Sequence, residues 1–496
     1  MSNILINVLF IILYIYNLYY QLLYLQESHY YLSRYKKHII SYYKKNIFLI
    51  ILLLFYYIDI YLLLVFLILH LLYKLIHHDK VIIKLKFTNR MFRIIFVNSL
   101  IYILFNILFT NILTQIVLHT LLPFNITISI MLLSYVEKRI FKKYYNQALE
   151  KIKSNKTFKT IMITGSCGKT TVKNIIYHLI KDNYYVLKTP KSYNTINGIV
   201  KFINEEFNNN VDILIIEAGA CKKGDIDEIC KLIKPNIGVI TELTEQHLES
   251  FKTLDNLINT KLEIINYIKD NDYLIYNSDN IYLKNKLNDY NFIKVTKENT
   301  TIIKMLPYLE FKHLDKTYIT PLLGKHQIIN ILLSLNVITT LEKYGYKFDD
   351  EKIIYDLQTL SYIENRLEYK KLHNIDLYND SYNSNRIGFL NAVELLSYSE
   401  YKKVIITPGL VELGSCKRII NEEIAYEISK VFDEIYIIRS EVSKYYINIF
   451  NKLNIKYHIF DSFRCCYKYI LDNNFEQISL LIENDISDIY KERWLK

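Results

Sequence analysis

The stretch Ile161-Met-Ile-Thr-Gly-Ser-Cys-Gly-Lys-Thr-Thr171 limits the possible folds more than any other part of this chain. A β-branched apolar run enters a tight turn with two glycines, and Lys-Thr-Thr then opens an amphipathic stretch. Gly165 and Gly168 let backbone N–H groups turn toward one point, where a helix beginning near Lys169 aims its positive end. An ammonium at Lys169 and a hydroxyl at Thr170 complete a cradle for a nucleotide triphosphate with Mg2+. The loop is shorter than the general G-x(4)-G-K-[ST] pattern, because Ile163 stands where the first glycine would be. A strand feeding a helix through such a loop predicts an α/β fold with a mostly parallel sheet.

What precedes the loop is of another kind. Ile4 to Leu25 is nearly uncharged and reaches the roughly 20 residues that cross a bilayer. It has neither a basic start nor a small-residue cleavage site, so it is expected to be a retained anchor. Asn46 to Leu72 is apolar apart from Asp59, and Ile94 to Leu133 is apolar, interrupted by polar spots near Thr114-Gln115 and by Pro123. The intervening basic residues are Arg34, Lys36, Lys37, Lys44 and Lys45, then Lys74, Lys80, Lys84, Lys86, Arg90 and Arg93, then Lys138, Arg139, Lys142 and Lys143. The positive-inside rule puts all three clusters on the cytoplasmic side. Five spans satisfy it with the N-terminus outside; four follow if Asn46–Leu72 is too short to form a hairpin. Asp59 reads as a headgroup-level turn or as an intramembrane carboxylate.

The net charge of +11 gathers largely between these apolar segments, so membrane lipid explains it better than nucleic acid. No Lys/Arg-rich run with interleaved aromatics marks a nucleic-acid groove. Six cysteines, none in a C-x-x-C pair, predict free thiols in a reducing compartment, without structural zinc or a disulfide framework.

From about Thr160 short β-branched runs alternate with amphipathic stretches. Thr160–Thr164, Val211–Glu217, Asn236–Thr241 and Tyr273–Asn277 read as strands; Lys169–Asp182, Asp225–Lys234 and Leu254–Ile268 read as helices. A second α/β run follows Glu364, with strands at Lys403–Thr407, Glu434–Arg439 and Ile478–Glu483. The expected domains are a helical membrane region over 1–145, a P-loop domain over 146–345 and a Rossmann-like domain over 346–496.

Thr164-Gly-Ser-Cys-Gly-Lys-Thr-Thr171, with no upstream glycine, resembles the ATP loop of the Mur ligases, and further motifs follow in order. Ser192-Tyr-Asn-Thr-Ile-Asn-Gly198 is similar to the asparagine/glycine motif after the second strand. Ile215-Ile-Glu-Ala-Gly-Ala220 is similar to the motif whose glutamate holds Mg2+, and Gln246-His-Leu-Glu249 to the metal-site histidine motif. Thr260-Lys-Leu-Glu263 resembles the segment whose lysine is carbamylated in several members. Gly324-Lys-His-Gln-Ile-Ile-Asn330 resembles the motif that contacts adenine. Asn365-Arg-Leu-Glu368, Asp380-Ser-Tyr-Asn-Ser-Asn385 and Pro408-Gly-Leu-Val-Glu-Leu-Gly414 resemble motifs of the C-terminal domain, the last from the D-alanyl-D-alanine-adding MurF branch. The resemblance runs from Thr160 to Lys496. Asn365 replaces a common glycine, Arg386 replaces a common proline, and the membrane region stands where soluble members hold UDP.

The resemblance implies a ligase that phosphorylates a carboxylate with ATP and passes the acyl phosphate to an amine. It assigns ATP to Thr164, Gly165, Ser166, Cys167, Gly168, Lys169, Thr170, Thr171, Asn330, Arg366 and Asp380. It assigns Mg2+ to Thr170, Glu217, His247 and, once carbamylated, Lys261; Lys169, His247, Lys261 and Arg366 are the implied catalytic groups. The implied partners are a peptide or amino-acid amine and a carboxylate-bearing cell-wall precursor, UDP-linked or lipid-linked. A membrane-bound poly-γ-glutamate synthase-type ligase and a catalytically silent ATP-binding scaffold are the rival readings.

Overall fold

A computed structural model of the chain describes residues 2–28, 30, 32–45, 60–76, 85–109, 111–155, 157–190, 193–244, 251, 253–269, 272–362, 366–381, 385–410, 413, 416–473 and 476–483. The chain divides into two compact units, Met1–Lys143 and Tyr144–Lys496.

The first unit is helical. Ile4–Glu27 and Asn89–Leu108 are long and apolar enough to cross a bilayer, and Ile112–Thr120 with Leu122–Ser154 passes the same test as a pair bent by 68°. Tyr61–Ile76 is a shorter apolar helix. Two or up to three candidate segments are therefore present among the described residues, against the four or five expected. Residues 46–59, with Asp59, lie outside the described residues, as do Lys80 and Lys84. Large apolar side chains such as Phe96, Ile107 and Leu132 point outward, whereas Asn98, His119 and Ser129 are buried. Tyr14 Oη donates to Asn98 Oδ1 at 2.5 Å, and His119 Nε2 lies 2.9 Å from the Phe10 carbonyl. Such hydrogen bonds tie helices together where burial in lipid supplies no driving force.

The second unit holds two six-stranded sheets. The first contains β1 (Lys159–Thr164), β2 (Val186–Lys188), β3 (Ile213–Glu217), β4 (Ile237–Ile240), β5 (Tyr273–Asn277) and β6 (Ile293–Val295). Its order is β2-β3-β1-β4-β5-β6 and every pair is parallel. β3 and β4 are buried throughout, as parallel strands covered on both faces must be, so their sequences are near-continuous apolar runs. β1 lies between β3 and β4, so the strand order reverses there. Such a reversal opens a crevice at the C-terminal strand ends.

A small antiparallel sheet follows: β7 (Thr300–Lys304), β8 (Leu309–His313) and β9 (Lys316–Thr320). It departs from the expected parallel pattern. In β8, Leu309 and Phe311 are buried while Lys312 is exposed, so the charged residues between them mask a short apolar face in the sequence. The second large sheet contains β10 (Glu368–Leu372), β11 (Ile375–Asp380), β12 (Lys402–Thr407), β13 (Glu434–Ile438), β14 (His458–Phe460) and β15 (Ile478–Glu483). Its order is β10-β11-β15-β12-β13-β14, with only β10 antiparallel.

The single helix expected over Leu254–Ile268 is two elements, an α-helix Leu254–Leu262 and a 3-10 turn Glu263–Tyr267. At the junction the Glu263 carboxylate accepts from the N–H groups of Gly224 and Asp227 at 2.8 and 3.0 Å. It thereby caps the neighbouring helix Asp225–Ile233, whose cap Gly224 has no side chain to do so.

Candidate nucleotide and metal site

The loop after β1 is shaped by close approaches that only glycine permits. Gly165 has φ +145° and Gly168 φ +81°, both in the region that disfavours side chains. A Cβ on Gly165 would collide with Thr241 Oγ1, and one on Gly168 would lie 2.6 Å from Asn330 Oδ1. Thr241 Oγ1 donates to the Cys167 carbonyl at 2.5 Å, and the Ser166 N–H donates to the Glu242 carbonyl at 2.6 Å. The end of β4 and the helix His326–Lys343, which carries Asn330, thus set the loop's curvature from outside it. Gly168 caps the helix Lys169–Ile180 without a side-chain hydrogen bond, leaving the first-turn N–H groups to face an anion. Lys169 Nζ donates to the carbonyls of Gly165 and Ser166 at 2.8 and 2.7 Å, which holds the ammonium over the loop. Burial lowers the Lys169 pKa; Glu217 opposes that shift, and Arg366 adds to it.

Beside the loop lies a buried charged cluster. The register Ile163↔Glu217 brings the end of β3 level with the end of β1. Thr170 Oγ1 lies 3.1 Å from both carboxylate oxygens of Glu217. Lys173 Nζ lies 2.8 Å from Glu217 Oε2, with the two side chains 2% and 4% exposed. The Glu217 N–H donates to Thr189 Oγ1 at 3.0 Å, fixing the strand end. The next residues reach the asparagine/glycine segment, where the Gly219 N–H donates to the Asn194 carbonyl at 2.7 Å.

Lys261 is buried on the helix Leu254–Leu262. Burial lowers its pKa to about 7, helped by the charge of Lys169, while Cys221, Asp225 and Glu217 oppose the shift. Its electrostatic partners therefore include both Lys169 and Glu217. The second sheet faces the same loop. Asn385 Nδ2 lies 3.5 Å from Cys167 Sγ. Arg366 acts on Lys169 and on Asp380, and Asp380 Oδ1 accepts from the Leu367 N–H at 3.1 Å. Asp380 and Glu483 are register partners on β11 and β15, and Glu483 is among the groups that hold the Asp380 pKa down.

Gly165, Ser166, Cys167, Gly168, Lys169, Thr170, Glu217 and Asn330 thus meet at one strand end, with Lys261 and Arg366 within electrostatic reach of members of that group and Asp380 linked to it through Arg366. Thr171 is buried on the inner side of the helix. Thr164 is fully buried and its hydroxyl donates to the Ala218 carbonyl at 3.1 Å, so it braces β1 against the turn after β3. His247 and the rest of Gln246–Glu249 lie outside the described residues, as do Ser192, Asn365, Val411, Glu412 and Gly414. Arg386 opens the helix Arg386–Ser397, a position that also tolerates proline, and its Nε bonds Glu423 Oε2 at 2.7 Å.

Sequence reasoning missed Lys173, Thr241 and Glu483. Lys173 carried one signal: it falls four residues after Lys169, within the apolar face of that helix. Among the described residues no group of three or more His, Cys, Asp and Glu side chains converges. The donor set nevertheless fits Mg2+, which is bound through one or two carboxylates together with substrate phosphates and water. The Thr170 hydroxyl and the Glu217 carboxylate are hard oxygen donors already in contact with each other.

Fold and site together define an α/β protein in which a glycine loop ends a parallel sheet and a second, largely parallel sheet follows. Comparison with known proteins narrows the class. Residues 163–338 match the Mur ligase middle domain, and the chain has the Mur ligase fold. It is 28% identical over 286 residues to the UDP-N-acetylmuramoyl-tripeptide--D-alanyl-D-alanine ligase of Bacillus subtilis, covering 55% of this chain and 60% of that protein. The chain therefore spans less than two thirds of that relative's length. The MurF ligase from Thermotoga maritima in complex with ADP superposes with a TM-score of 0.61 at 25% identity, covering 72% of this chain and 82% of the other. Folylpolyglutamate synthase from Mycobacterium tuberculosis, at 13% identity and a TM-score of 0.53, shares the fold over 73% of this chain and 97% of its own.

Proposed function

We propose that this chain is an ATP-dependent ligase that joins a carboxylate to an amine through an acyl phosphate, of the type that adds D-alanyl-D-alanine to a muramoyl tripeptide. The observation that carries the reading is the convergence of the glycine loop, Lys169 and the Thr170–Glu217 pair with Arg366 and Asn385, from the segments flanking the first strands of the second sheet. ATP phosphates lie against the loop N–H groups and Lys169, with Asn330 beside the loop. Thr170 and Glu217 hold Mg2+, with His247 and carbamylated Lys261 as further ligands. When bound, the metal neutralises charge on the phosphates.

The chain's own residues do the rest by positioning and charge. Lys169 and Arg366 place positive charge where phosphoryl oxygens gather. Lys261, whose pKa burial lowers to about 7, offers its uncharged amine to carbon dioxide; the new N–C bond forms with loss of an amine proton to solvent, and the anionic carbamate supplies an oxygen donor. Asp380 meets the ribose or orders the closed arrangement of the two sheets. Closure of the C-terminal domain over the loop excludes water and protects the acyl phosphate.

We divide the chain into a membrane region over 1–145, a central ATP-binding domain over 146–345 and a C-terminal ligase domain over 346–496. The apolar helices of the first unit support multi-pass membrane attachment with the ligase domains cytoplasmic. A membrane region where soluble relatives hold UDP favours a lipid-linked acceptor. The test is ATP turnover by the full chain in detergent, with D-alanyl-D-alanine or glutamate as amine and a UDP-linked or lipid-linked muramoyl tripeptide as acceptor. ADP release that requires both D-alanyl-D-alanine and the tripeptide is expected. Lys169→Ala should lower turnover at least about 10²- to 10³-fold. Turnover with glutamate alone would refute the assignment, and use of only the UDP-linked acceptor would refute the lipid-linked part.

A further inference from the structure

Lys173 stands one helical turn beyond Lys169, on the inner face of the helix Lys169–Ile180. An ammonium this deep costs several kcal/mol of desolvation unless it is matched, and the match here is one oxygen of Glu217. The two oxygens of that carboxylate are therefore not equivalent. Oε2 is 2.8 Å from Lys173 Nζ, whereas both oxygens share the weaker contact with Thr170 Oγ1 at 3.1 Å. The backbone behind Glu217 is pinned through Thr189, and rotation of the side chain away from the ammonium would leave that charge buried without its match.

A divalent cation bound to both oxygens would sit close to the Lys173 ammonium in a site screened from water, where like charges repel strongly. A cation bound to Oε1 alone lies on the far side of the carboxylate. Ca2+ readily takes a carboxylate through both oxygens at 2.3–2.6 Å, while Mg2+ demands near-octahedral geometry and is satisfied by one oxygen plus phosphate and water. We propose that Lys173 is a positioning residue that sets metal specificity: by occupying Glu217 Oε2 it confines the metal to Oε1 and so favours Mg2+ over Ca2+. The proposal rests on the reading of Glu217 as a metal ligand.

The test is binding of a fluorescent ADP analogue to the full chain in detergent, titrated with Mg2+ and separately with Ca2+, together with thermal melting. Lys173→Met is expected to reduce the preference for Mg2+ over Ca2+ about tenfold, chiefly by strengthening Ca2+-supported binding. Lys173→Gln, whose amide can still donate to Oε2, is expected to keep more of the preference than Lys173→Met. A folded Lys173→Met protein whose two affinities fall equally, leaving the ratio unchanged, overturns the proposal and leaves Lys173 as a structural cation. If Lys173→Met does not fold, Lys173→Gln decides: a preference for Mg2+ lowered in part supports the proposal, and one equal to wild type overturns it. Wild-type nucleotide binding that needs no divalent cation would instead sink the metal-site reading itself.

Discussion

The two large sheets end in pairs of ionisable side chains of opposite character. At the end of β3, Glu217 is matched by an ammonium, Lys173. At the ends of β11 and β15, Asp380 is matched by another carboxyl group, Glu483. The first pair is an ion pair that needs no exchangeable proton to persist. The second sets two carboxyl groups side by side, which can hydrogen-bond to each other only by sharing a proton. Burial pushes the Asp380 pKa up, while the Leu367 N–H, Arg366 and Glu483 hold it back. The first edge is thus a site of fixed charge suited to a metal and phosphates. The second responds to pH and to any charge that displaces Arg366.

The sharpest way to break this comparison is to neutralise one member of the fixed pair. Glu217→Gln leaves the Lys173 ammonium buried without its counter-charge and should destabilise the protein by about 3–5 kcal/mol. Adding Lys173→Met to it should recover much of that loss, because the two residues act as one unit. Denaturant unfolding of the single and double variants measures both. Equal stability of Glu217→Gln and wild type would mean that the pair is not a buried ion pair.

A smaller effect tests how rigid the first edge is. Gly168→Ala places a Cβ against Asn330 Oδ1 at a positive φ, and such strain costs about 1–3 kcal/mol. Loss of nucleotide affinity with little change in melting temperature would show that the loop moves to accommodate the methyl group. An equal fall in both would show that Asn330 and the loop hold their places.

The first edge was largely legible in the sequence because its parts are local. The glycine turn, Lys169 and Thr170 lie within a few residues of one another, and Glu217 closes an unbroken apolar run that reads as a buried strand. Lys173 was legible only in its spacing from Lys169 on the apolar face, because a lysine on an amphipathic helix normally points to solvent. Its depth is set by β3 arriving alongside, which no local pattern records. The second edge was legible only in Asp380. Glu483 ends a strand that returns to the sheet from far along the chain and inserts between β11 and β12, so the partnership exists only in the topology. In the first unit the apolar blocks stood out, but the break at Leu121 that bends two helices by 68° did not.

The mildest test addresses the proton at the second edge. The folded Asp380 carboxyl binds its proton more tightly than the unfolded one, whose ordinary value is 3.8. Below that value both states are protonated and the full contribution is present. As pH rises from there through the raised folded value, the folded state holds a proton that the unfolded state has lost, so stability falls with pH. Asp380→Asn keeps a hydrogen-bond donor toward Glu483 and the acceptor for Leu367, so near neutral pH it should change stability by only about 1 kcal/mol. It should also remove the downward slope that wild type shows through the mildly acidic range. Glu217→Gln should leave that slope in place, because the pair at the first edge is set by charge rather than by a shared proton. Parallel pH profiles for wild type and Asp380→Asn would mean that the proton resides elsewhere, and that the two sheet edges differ less in kind than their side chains suggest.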